Sequence, residues 1–145
     1  MLIHSAEENT SMALGEVLGE ARGKVAGLKA LGDGKIEVSL QGKGKLLGSD
    51  MDDVVTFWSV MRPNGTAYGK ENAVHMSTDG MAEWQGSGVG KPIGPGTWKY
   101  AFGGVYIQLL HLRNGRDCLM FTLQESTKMT VTEITTGNCE NGNTD

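Results

Sequence analysis

Residues 15–27, GEVLGEARGKVAG, carry a glycine at every fourth position. The odd positions read Gly15, Val17, Gly19, Ala21, Gly23, Val25 and Gly27, whereas even positions 16–24 read Glu, Leu, Glu, Arg and Lys. Alternation with period two is the signature of a strand with one small apolar face and one wet face. A helix over the same residues would hold four interior glycines at about 1 kcal/mol each relative to alanine, roughly 4 kcal/mol in all. A membrane GxxxG helix fares worse, because Glu16, Glu20, Arg22 and Lys24 would lie in lipid. The stretch is therefore read as a strand whose four glycines, Gly15, Gly19, Gly23 and Gly27, point inward.

The same alternation continues downstream. LGDGK (31–35) contains an Asp-Gly pair of the kind that closes two-residue hairpins. KIEVSLQGKGKLLG then places Ile36, Val38, Leu40, Gly42, Gly44 and Leu46 on one face. SDMDD (49–53) reads as a short acidic turn before the β-branched, aromatic strand VVTFWSVM. RPNG (62–65) and TDG (78–80) are turns, and between them and beyond them TAYGKENAVHMS and MAEWQGSGVG extend the pattern. KPIGPG (91–96), with two prolines and two glycines, reads as a loop. TWKYAFGGVYIQLLHL reads as a long strand bent at Gly103-Gly104, followed by the turn NGRD (114–117) and the strands CLMFTLQ and KMTVTEITT.

This gives seven or eight strands and no helix, an all-β antiparallel meander. Edges and inward glycines favour closure into a small barrel over a β-sandwich, because closure removes unpaired edges and small residues let a strongly curved sheet bend. Glycine, at 22 of 145 residues, is about double its usual share of ~7%, which a flat sheet would not require. The expected organisation is a flexible extension over residues 1–13, one barrel domain over 14–136 and a polar tail over 137–145.

Several function classes are disfavoured at once. The net charge is −4 and the 13 basic residues are scattered, so no nucleic-acid footprint is present. No window approaches 18 apolar residues, the N-terminus lacks the features of a signal peptide, and only Cys118 and Cys139 occur. The expectation is a cytoplasmic protein with no membrane partner.

No familiar catalytic motif is present. GKGKLLG and GSGVGKPIGPG match no phosphate loop and do not open helices. His4, His75 and His111 lack the spacing of a zinc site, and the G-x-S-x-G elbow is missing, so neither a metal nor a cofactor is implied. What remains is a set of large amphipathic residues in the middle of the chain. Trp58, Arg62, Tyr68, Trp84, Tyr100 and Tyr106 are the candidate ligand-binding residues. Glu71 and His75, four apart on one strand, share a face, and a carboxylate beside an imidazole suits acid–base chemistry.

The segment TFWSVMRPNGTAYGKENAVHMSTDGMAEWQGSGVGKPIGPG, with LGEVLGEARGKVAG and SLQGKGKLLG upstream, resembles an uncharacterised family of small prokaryotic proteins. The residues carrying the resemblance are Thr56, Trp58, Ser59, Arg62, Pro63, Gly65, Tyr68 and Gly69, then Val74, Met76, Ser77, Asp79 and Gly80, then Trp84, Gly86, Gly88 and Gly90. Such proteins look like barrels of the allene oxide cyclase and dirigent type, which implies a closed barrel, often a homo-oligomer, with a pocket in its mouth. No catalytic residue is carried over by the resemblance. The C-terminal QESTKMTVTEITTGNCENGNTD departs from the family's usual finish, as a change of reading frame after about residue 110 would cause.

Three functions are consistent with this reading. The first is a barrel binding a small apolar or aromatic ligand. The second is a cofactor-free isomerase or cyclase in which Glu71 and His75 move protons while Arg62 and Tyr68 hold an oxyanion. The third is a structural or oligomerisation module with a filled core.

Overall fold

A computed structural model of the chain describes residues 16–110, 118–127 and 130–137. These form eight strands: β1 (Glu16–Gly32), β2 (Lys35–Leu46), β3 (Ser49–Met61), β4 (Ala67–Ser77), β5 (Gly80–Gly94), β6 (Thr97–Leu110), β7 (Cys118–Thr127) and β8 (Thr130–Gly137). Each pairs antiparallel with the next, and β8 returns to β1 from Glu16↔Gly137 to Lys24↔Thr130. The protein is an all-β closed barrel. Its last two strands, β7 and β8, complete the wall. Among the described residues no helix is long and apolar enough to cross a membrane.

The turns follow backbone chemistry more closely than composition. Asp33 and Gly34 take φ of 54° and 72°, and Leu47 and Gly48 take 52° and 83°. Positive φ at both central residues is the type I′ geometry whose twist suits a tight hairpin. The second of these turns corrects the reading of SDMDD. Ser49 already pairs with Leu46, and the acidic stretch is the start of β3, with Met51 and Asp53 inward and Asp50 and Asp52 exposed. Likewise β5 runs on to Gly94 through a register shift between Pro92 and Gly94, so most of KPIGPG is strand. The bulge absorbs the proline. Gly103-Gly104 is continuous in register with both neighbours, and the irregularity in β6 falls instead between Gln108 and Leu110.

The inward glycines do one job at two places. Gly23 is the cross-strand partner of Gly42, and Gly86 that of Gly104. A Cβ on Gly42 would lie 2.5 Å from the Arg22 carbonyl oxygen, and one on Gly23 would lie 2.9 Å from that of Gln41. β1 and β2 therefore approach so closely at this pair that neither position has room for a side chain. At Gly86 the obstacle is different: a Cβ would lie 2.5 Å from the Trp84 indole, which is laid over the backbone of its own strand.

The expected row of four inward glycines holds in part. Gly19 and Gly23 face in, but a register shift between Val25 and Gly27 turns Gly27 to the outer face opposite Ser39. Gly15 lies outside the described residues.

The core collects Leu40, Leu46, Met51, Val55, Phe57, Ala67, Ala73, Ala82, Trp84, Tyr100, Phe102, Tyr106 and Val131. The pinch between β1 and β2 gives a direct test. Gly23→Val should destabilise by roughly 2–3 kcal/mol, a fall of about 10 °C in Tm. Lys24→Thr, on the exposed outer face, should change stability by less than about 0.5 kcal/mol. Equal losses in thermal melts of the two variants would contradict the assignment of faces.

Candidate functional site

Period-two alternation decides which side chains enter the barrel, and it divides the six candidate ligand-binding residues. Trp84, Tyr100 and Tyr106 are buried inside, at 2, 6 and 2% exposure. Trp58 and Tyr68 stand on the outer wall because their neighbours Phe57 and Gly69 take the inward places. There the two rings meet edge-on at 5.8 Å, with Lys35 4.3 Å above Trp58 and Arg62 4.9 Å from Tyr68. The expectation of one mouth lined by all six residues is corrected. Arg62 and Tyr68 form a cation–π contact on the surface and do not face Glu71.

Inside, one end of the barrel is filled by aromatic rings, whereas the buried ionisable residues lie farther along the axis with Trp84 and Tyr106 among them. Towards the turns that join β3 to β4 and β5 to β6, Tyr100 stacks on Phe102 at 5.5 Å and on Trp98 at 6.0 Å. Phe57 leans on Tyr100 at 5.7 Å, and the Tyr100 hydroxyl shares a 3.1 Å hydrogen bond with Ser59. The polar half begins at once beyond this stack, since Phe57 is the cross-strand partner of Glu71 and Tyr100 that of Gln124.

Glu71 and His75 share the inward face of β4. Register pairs His75 with Asp53 across β3, and His75 Nδ1 lies 2.5 Å from Asp53 Oδ1. An ionised carboxylate accepts, so Nδ1–H donates, which fixes the tautomer and leaves Nε2 as the basic nitrogen. The imidazole is stacked at 5.5 Å on Tyr106. Glu71 is 1% exposed. Gln124 Nε2 donates to Glu71 Oε2 at 3.0 Å and to Glu133 Oε2 at 3.2 Å, so one amide bridges two carboxyl groups.

The electrostatics follow from burial. Desolvation, then the nearby Glu133 carboxylate, pushes the Glu71 carboxyl well above its ordinary range against the opposing pull of the Gln124 and Trp84 donors. Glu133 is raised to about 7, mainly by desolvation; His75 and Gln124 lower it and Asp53 raises it. Burial, with Asp53 nearby, also raises the Tyr106 phenol, and burial raises that of Tyr100. The interior thus contains a carboxyl group pushed well above its ordinary range (Glu71), one raised to about 7 (Glu133) and an imidazole held against Asp53 (His75).

The network is incompletely satisfied. Among the described residues Glu71 Oε1, Gln124 Oε1, Tyr106 Oη, Thr122 Oγ1 and Thr136 Oγ1 are buried without hydrogen-bond partners, and the Trp84 N–H, near enough to Glu71 to favour its charged form, makes no well-formed bond. Buried polar atoms are paired as a rule, so a cluster of orphans of both senses, donors and acceptors, is a mark of a site that is completed by something else. Two small cavities lie beside His75 and Glu133, and of the unpartnered groups only Gln124 lines one of them. One, of about 30 Å³, is bounded by Asp53, His75, Gln124, Glu133 and the glycine wall of Gly23 and Gly42; the other, of about 10 Å³, touches Asp53, His75 and Glu133. The first is large enough for one water molecule and far smaller than the 300 Å³ or more of a typical small-molecule site. The broad grooves of about 840 and 980 Å³ across the outer faces of β1 and β2 lie among charged side chains such as Arg22, Lys43 and Lys45, away from these rings. No group of three acidic, histidine or cysteine residues suited to a metal occurs among the described residues.

Sequence reading located Glu71 and His75 but missed Asp53, Gln124 and Glu133. Asp53 was hidden by reading SDMDD as a turn, although its odd position in the alternation with Val55 and Phe57 would have placed it inside. Gln124 and Glu133 are partners between β7 and β8, and a single sequence does not state that alignment. His4 and His111 lie outside the described residues.

The raised Glu133 carboxyl has a consequence for stability. Between its ordinary value of 4.5 and about 7, Glu133 in the folded protein holds a proton that the unfolded chain has released, so this group's contribution to stability falls as pH rises through that window and is constant above it. The loss should approach roughly 3 kcal/mol. Glu133→Gln should lessen the fall of Tm with pH between 4.5 and 7 without abolishing it, because the raised Glu71 carboxyl contributes with the same sign, and an unchanged slope would refute the assignment.

Comparison of the chain with protein-family models, curated proteins and solved structures found no match.

Proposed function

We propose that this barrel is an acid–base protein acting on a small, mainly apolar or aromatic molecule, as a cofactor-free isomerase or cyclase. The observation that carries the reading is the position of a buried, incompletely satisfied acid–base network directly beyond a stack of aromatic rings. The apolar body of a ligand would rest against Trp98, Tyr100 and Phe57. Its polar group would then meet the orphaned atoms of Glu71, Gln124 and Trp84. Proton abstraction falls to His75 Nε2, with Asp53 stabilising the imidazolium that forms. Glu71, whose burial favours its protonated form, would donate to the developing oxyanion, assisted by the Trp84 N–H and Tyr106 hydroxyl. Because the present cavity admits only water, occupancy requires the Trp98 and Tyr100 end to part.

Three carboxyl groups and one histidine inside a 145-residue barrel are costly to retain without such a role, and perturbed ionisable groups concentrate at functional sites. The resemblance to allene oxide cyclase and dirigent-type barrels, and the cytoplasmic setting inferred from sequence, accord with this reading. A structural module with a filled core is the second reading, and the observation that favours it is the small size of the two cavities.

Two measurements separate them. Native mass spectrometry of protein purified from its own host should reveal a retained small molecule. A panel of small aromatic and cyclic ketones in D₂O, followed by NMR, should show deuterium exchange beside the carbonyl, slowed about 100-fold or more by His75→Ala. A bare protein that exchanges none of the panel above the buffer rate would exclude the acid–base reading and leave the filled module.

A further inference from the structure

β1 outruns its partner. Its pairing with β8 ends at Lys24↔Thr130, whereas β1 itself continues to Gly32, paired only with β2. Among the described residues, the stretch from Gly27 to Gly32 therefore presents one edge of backbone N–H and C=O groups with no strand beside it. The tip of this hairpin also carries apolar side chains in water: Leu28 is 65%, Ile36 50% and Leu31 40% exposed. The bulge between Val25 and Gly27 aligns Leu28 with Val38 and Ala30 with Ile36, so the tip prolongs the inner, apolar face of the wall past the end of the barrel.

We infer that this edge is completed by the same edge of a second copy of the chain, the two β1 tips pairing antiparallel about a two-fold axis at Leu28. Antiparallel pairing makes the row of donors and acceptors self-complementary, which is what an isologous interface needs. Charge selects the register. An axis at Lys29 would bring two lysines face to face. An axis at Leu28 sets Lys29 against Gly27 of the other copy, packs Leu28 on Leu28 and places Ala30 against Ala26. Lys29, which otherwise guards an exposed edge, already has Glu37 across from it on β2. A strand pair of about six residues is smaller than a standard interface, so the dimer dissociates at micromolar concentrations.

This inference does not depend on the acid–base reading, since the tip contributes no residue to the network around His75. Sedimentation velocity of the full chain from about 1 to 500 μM tests it. The mass should double over that range; Leu28→Lys should keep the protein monomeric at 500 μM without lowering its Tm. Val105→Lys, which replaces a residue 48% exposed on β6, should leave the dimer as it is. A wild-type monomer at 500 μM, an assembly larger than two, or a dimer equally weakened by both substitutions would overturn the two-fold β1 interface.

Discussion

The close approach of β1 and β2 at Gly23 and Gly42 governs much else in this structure. Eight strands can close only if the wall bends, and here much of the bend is concentrated where a glycine faces a glycine across the ladder. An inner surface with no side chains leaves the space in front of it to be filled from the opposite wall. That is the space bounded by Asp53, His75, Gln124 and Glu133. The pinch and the polar cluster are thus two sides of one packing solution. At the β5–β6 bend the same solution is filled differently, by the Trp84 indole lying on Gly86.

Placing ionisable groups in that space has an energetic consequence that runs through the molecule. Neutralisation is cheaper than a buried charge, so the carboxyl groups keep protons to higher pH than they would in water. His75 and Asp53 are joined by a short hydrogen bond, and the stacked Tyr106 ring fixes the imidazole plane. The aromatic half of the barrel carries no such conflict. Its rings fill volume, and the partly buried Tyr100 hydroxyl is satisfied by Ser59.

How far the site was legible depends on the type of information each residue required. Glu71 and His75 were accessible because their relation is within one strand, where spacing of four guarantees a common face. Trp84, Tyr100 and Tyr106 were accessible by residue type, but so were Trp58 and Tyr68, and residue type does not distinguish the two faces. Applying the alternation at Phe57–Trp58 would have separated them. Gln124 and Glu133 were beyond reach, because bridging Glu71 to Glu133 needs β4, β7 and β8 to converge across the lumen.

The sequence by itself determined the strands, the hairpin turns with favourable φ and the face on which most side chains lie, because all of these are set by contacts a few residues apart. It also determined that the sheet must curve, since inward glycines recur at fixed spacing. Only the tertiary structure decided where the curvature concentrates, that Leu47-Gly48 starts β3 earlier than composition suggests, and that the bulge after Val25 turns Gly27 outward. It alone decided that Asp53 meets His75 and that one amide serves two carboxyl groups. The reason is that cross-strand register is a property of the closed ring. Each strand's alignment is constrained by seven others, and no local run of residues contains that constraint.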